Sequence, residues 1–145
     1  MERAKTKIIN TNAIMMVALS IIVFVGYKAF SQQSTWIAPP AANQKTNSVT
    51  ANVTNILAGK NLYVNECSSC HGKYGKGDGP AASVLGKPVG DLSSAKSQDQ
   101  TDGSYFWKIQ TGKTPMPTFQ KRLNETQIWQ LVNYMRTLKA TSKKG

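Results

Sequence analysis

Apolar positions are bunched along this chain. From Ala13 to Tyr27 every residue except Ser20 and Gly26 is apolar, and with Ile8 and Ile9 just before it the segment extends to 20 residues, Ile8 to Tyr27. A helix of that length covers about 30 Å, enough to span the hydrocarbon core of a bilayer. Arg3, Lys5 and Lys7 precede it with only Glu2 in opposition, so the positive-inside rule puts the N-terminus in the cytoplasm and exports everything that follows. Residues 1–30 therefore read as a membrane anchor. Lys28 and Trp36 beyond it suit a retained helix, while Ala29-Phe30-Ser31 has the small-x-small form of a cleavage site, which leaves a signal segment as the alternative. No cysteine lies between this segment and Cys67, which excludes a lipid-modified N-terminal cysteine.

Residues 31–55 lose all periodicity. They are Gln, Asn, Ser, Thr and Ala with two prolines and scattered apolar residues, the composition of a flexible polar linker. As a free chain it would reach roughly 25 to 30 Å on average and about 80 Å at full extension. The alternative is partial ordering against a partner subunit.

Helical periodicity then returns. Ile56, Gly59, Leu62 and Tyr63 fall on one face of a helix. Asn124 with Gln127 three residues later forms a capping box, predicting a helix to about Lys139 in which Trp129, Val132, Met135 and Leu138 make a core stripe. The expected organisation is a small all-α domain over 56–140, followed by a basic tail at 141–145.

Composition narrows the chemistry. The chain holds 18 basic and 7 acidic side chains, two cysteines and one histidine. The cysteines stand in Cys67-Ser68-Ser69-Cys70-His71. Structural zinc needs two further Cys or His ligands, which the sequence lacks. A thioredoxin-like pair belongs at a strand-to-helix junction, whereas here a helical pattern precedes the pair and a glycine-rich stretch follows it.

The C-x-x-C-H unit resembles the attachment signature of c-type cytochromes, which implies one covalent haem c held by Cys67 and Cys70, with His71 as the proximal iron ligand. With no second histidine, the sixth iron position falls to methionine, lysine or a vacancy. Met1, Met15 and Met16 precede the linker, and Met135 belongs to the core stripe. Met116 lies in Thr114-Pro115-Met116-Pro117-Thr118-Phe119, where two prolines stiffen the loop; this Met-Pro-x-Phe pattern resembles the distal ligand loop of class I cytochromes c. A thioether ligand favours ferrous iron and raises the potential.

That resemblance covers roughly residues 55 to 140 and implies the small cytochrome c fold. It further implies the Pro80 carbonyl as acceptor for the His71 Nδ1 proton and a helix crossing at Gly59 with Tyr134. Trp107 and Tyr105 precede the methionine loop and could bond a haem propionate, although an aromatic ring packs on the cofactor without such a bond. Gly72, Gly75, Gly77 and Gly79 are expected to let the chain turn against the macrocycle.

Beyond Lys28 there are 14 basic and 6 acidic residues. Lys73, Lys76, Lys87, Lys113 and Lys121 neighbour the haem-binding segments and would steer acidic redox partners, with anionic lipid headgroups competing for them. Export argues against nucleic acid. The expectation is a non-enzymatic one-electron carrier in the respiratory chain, single-pass in the inner membrane with its haem domain on the periplasmic side, shuttling between redox complexes. A fixed haem subunit of a larger respiratory or photosynthetic complex is the alternative; an open-site haem enzyme or gas sensor is disfavoured by Met116.

Overall fold

A computed structural model of the chain describes residues 36–139; the expected anchor at 1–30 and tail at 141–145 lie outside the described residues. The described part contains α1 (Pro40–Asn43), α2 (Val53–Glu66), α3 (Ser68–His71), a 3₁₀ turn (Ala82–Val84), α4 (Ala95–Gln98), α5 (Asp102–Thr111) and α6 (Glu125–Thr137). Among the described residues there is no strand, only an isolated bridge between Lys113 and Met116, and no helix is long and apolar enough to cross a membrane.

The two long helices begin on side-chain caps. Asn52 accepts from the Asn55 amide at 2.9 Å, which starts α2 at Val53, three residues before the first apolar position of its pattern. At α6 both halves of the capping box form: Asn124 Oδ1 accepts from the Gln127 amide and Gln127 Oε1 from the Asn124 amide, each at 2.9 Å.

These helices cross at Gly59, where a Cβ would lie 1.9 Å from the Gln130 carbonyl oxygen. Only a residue without a side chain permits that approach. One turn on, Tyr63 is fully buried, its ring 5.2 Å from that of Tyr134 and its hydroxyl donating to the Gly72 carbonyl at 2.8 Å. Tyr134 thus joins the crossing through Tyr63. Trp129, Val132 and Met135 are buried as expected, and Ile128 and Leu131 add a second row, so the apolar face of α6 is broader than its spacing of three implied. Phe106 of α5 stacks on Trp129 at 4.3 Å. Arg136 closes the far end, donating to Asp102 at 2.7 Å and to the Gln98 carbonyl at 2.6 Å. Each large apolar side chain buried here contributes about 1.5–3 kcal/mol.

The linker expected at 31–55 is instead packed from Ala38 onward. Ala38 is 3% exposed, and Gly103 leaves room for the Ala42 carbonyl, 1.9 Å from where its Cβ would be. Lys45 sits 3.9 Å above the Phe106 ring and pairs with Glu125. Asn47 donates to Asn133 Oδ1 at 2.8 Å, and Asn133 donates back to the Val49 carbonyl at 2.9 Å. The segment is polar because amide pairs and close backbone approach dock it, and neither leaves an apolar period in the sequence. It forms a strap across α5 and α6.

Candidate functional site

The site begins where α2 runs directly into α3. The Cys70 and His71 amides both donate to the Cys67 carbonyl, at 3.2 and 2.9 Å, so a single turn carries the two sulfurs and the imidazole. Neither cysteine is in a disulfide. Burial, reinforced by Glu66 and Cys70 and opposed by Arg122, pushes the Cys67 thiol up to about 12. With no group attached it is a neutral thiol at neutral pH, unlike the activated thiolate of a redox pair.

After His71 the chain folds back on α3. The Gly77 amide donates to the His71 carbonyl at 2.9 Å, Gly79 to Cys70 at 3.1 Å and Ala81 to Ser69 at 2.9 Å. Gly77 is required twice over: its φ is 76°, and a Cβ there would meet the Val89 carbonyl oxygen at 2.3 Å. This return leaves Pro80 exposed beside the start of α3. The structure gives His71 a different acceptor from the Pro80 carbonyl. The imidazole Nδ1 meets the Gly90 carbonyl at 3.2 Å, because the stretch after the 3₁₀ turn is what passes over the ring. A carbonyl only accepts, so Nδ1 carries the proton and Nε2 keeps its lone pair. Burial lowers the His71 pKa against the opposing effect of that bond, favouring neutral imidazole.

Met116 is held in a short loop. Its amide and carbonyl both bond Lys113, at 2.9 and 3.0 Å, and Phe119 donates to the Ile109 carbonyl at 3.2 Å to fix the loop's far end. The side chain is half-buried and packs on the hydrophobic core. Trp107, on α5, is half-buried and borders a groove of about 300 Å³ with Pro39, Ala42 and Phe106. Tyr105 is buried with its hydroxyl 2.8 Å from both the Ser97 carbonyl and the Ser97 hydroxyl, so it is already engaged within the protein. Lys73, Lys76, Lys87, Lys113 and Lys121 are all exposed. Sequence reasoning missed Gly90, whose role is played by a backbone oxygen and leaves no side-chain signature.

Residues 56–139 match the family described as Cytochrome c. The chain belongs to the cytochrome c family. Cytochrome c6 of Euglena viridis is 28% identical over 83 residues, covering 54% of this chain and 86% of that protein. A chain of the Kuenenia stuttgartiensis reducing HAO-like protein complex Kustc0457/Kustc0458 superposes with a TM-score of 0.57 at 31% identity, covering 78% of this chain. This cytochrome c spans only 56% of that chain's length. The KustC0563 c-type cytochrome superposes with a TM-score of 0.50 at 26% identity, over 57% of this chain and 98% of its own.

The donor set fits the family's cofactor: two unpaired thiols and an imidazole with one nitrogen satisfied, on one turn. This cytochrome c accordingly binds haem c covalently through the motif of Cys67 and Cys70. The haem supplies a reversible one-electron iron couple, and the chain's function is haem-based electron transfer.

Proposed function

We propose that this cytochrome c is a one-electron carrier with His71 and Met116 as its axial iron ligands, anchored by residues 1–30 on the periplasmic side of the inner membrane. The observation that carries the reading is the His71 ring, bonded through Nδ1 to the Gly90 carbonyl on the turn that bears both thiols. That arrangement leaves Nε2 as the only imidazole donor available to iron. Met116 is the residue that would supply the second iron ligand: its backbone is pinned on both sides to Lys113, and its side chain lies against the core. Trp107 is the candidate donor to a propionate. The five exposed lysines favour acidic redox partners and predict association that slows as salt is raised.

The test is optical. Reduced wild-type protein should be low-spin and indifferent to carbon monoxide, whereas Met116→Ala should bind the gas; wild-type haem that binds it readily would point to chemistry at an open iron. Retention in carbonate-washed membranes supports the anchor, and release removes it.

A second reading, a fixed subunit of a larger redox complex, is favoured by the strap, since chain docked on the head from Ala38 onward provides no reach. Co-elution of the haem with a large complex in mild detergent supports it, and elution as a small independent species supports the shuttle.

A further inference from the structure

The Gly90 carbonyl is an isolated backbone atom, yet the chain on either side of it is held closely. Upstream, Val89 lies against Gly77, with its carbonyl oxygen 2.3 Å from where a Cβ would be. Downstream, the Leu92 amide donates to the Gly75 carbonyl at 2.6 Å, and Gln98 Nε2 donates to both the Leu92 carbonyl at 2.7 Å and the Met135 carbonyl at 3.0 Å. Between these points Asp91 forms a compact knot. Its Oδ1 accepts from the amide of Ser93 at 2.8 Å and from the Ser93 hydroxyl at 2.7 Å, and its own carbonyl accepts from the Ser94 hydroxyl at 2.8 Å. Ser93 is buried although Asp91 is exposed, so the knot ties a surface turn to the interior.

We propose that Asp91 is a positioning residue for the iron site: by latching the turn through Ser93 it holds the Gly90 carbonyl on His71 Nδ1 and so sets the basicity of the imidazole. This rests on the reading of His71 as an iron ligand. A firmly held acceptor gives the ring more imidazolate character and favours ferric iron; a loosened one raises the reduction potential.

Removing Asp91 also deletes a negative charge, and the experiment separates the two effects. Asn keeps the acceptor oxygen and loses the charge, while Ala loses both. In the full-length, haem-loaded protein, Asp91→Ala is expected to raise the midpoint potential clearly above that of Asp91→Asn, which stays near wild type because an exposed charge is screened. Exchange of the His71 Nδ1 proton, followed by NMR in the reduced protein, is expected to quicken in Asp91→Ala and not in Asp91→Asn. Ser93→Ala removes one of the two latch bonds and should shift both readouts the same way by less, which keeps the test available if Asp91→Ala is not matured. Equal potentials in the Ala and Asn variants, or unchanged proton exchange in Asp91→Ala and Ser93→Ala, would overturn the latch. Absence of hyperfine-shifted His71 ring resonances from the NMR spectrum of the oxidised wild type would instead remove His71 as ligand, a separate failure.

Discussion

The α2–α6 crossing and the loop half, residues 72–100, are built on different principles. At the crossing, Tyr63, Trp129, Ile128, Leu131 and Val132 are each at most 1% exposed, packed around a glycine contact. Between Gly72 and Gln100 the buried residues are three glycines and two serines, with no apolar side chain among them. That half is held by backbone hydrogen bonds and by polar side chains such as Asp91, Ser93 and Gln98, and Val84 in it is 82% exposed. One region carries its own core; the other is shaped to enclose a core it does not encode. A domain of roughly 100 residues has little stability to spare, so a large apolar cofactor supplies the missing interior.

The largest expected effect follows from removing that interior. A Cys67→Ala, Cys70→Ala variant should lose cooperative unfolding and much of its helical circular dichroism, with hydrogen exchange fastest over 72–100. Full native helicity in that variant would show that the loop half folds unaided. Next comes the crossing itself. Gly59→Val places a side chain inside the Gln130 backbone and should cost about 3 kcal/mol or more in denaturant unfolding of the haem-loaded protein. A loss under about 1 kcal/mol would mean the helices part easily. The smallest is Asn124→Ala, which removes one arm of the capping box and should cost about 1 kcal/mol by thermal melting.

The two regions also differ in how far the chain's letters reveal them. The helices of the crossing are legible because side chains build them, the Asn124–Gln127 box and the stripe from Trp129 to Met135 each leaving a residue type at a fixed spacing, while the crossing at Gly59 is what the resemblance implies. The attachment turn was legible for the same reason. The acceptor for His71 was not, since any residue has a carbonyl and only the fold-back at Gly77 decides that Gly90 rather than Pro80 meets the ring. Nothing next to Tyr105 in sequence signals that Ser97, eight residues away, engages its hydroxyl. The strap was read as free chain because its docking relies on Asn47, on Asn133 and on space left by Gly103, none of which makes a periodic pattern.

The strap has a consequence for encounter statistics. Were the expected linker at 31–55 free throughout, 25 residues would join the proposed anchor to the head; docking from Ala38 leaves at most seven, 31–37. Effective concentration falls roughly as the −3/2 power of linker length, so if residues 1–30 anchor the chain as proposed, the shorter tether would present the haem domain to a neighbouring membrane complex at a local concentration about sevenfold higher. The same shortening narrows the choice of neighbours, because a distant acceptor cannot be met by a tether that fails to span the gap.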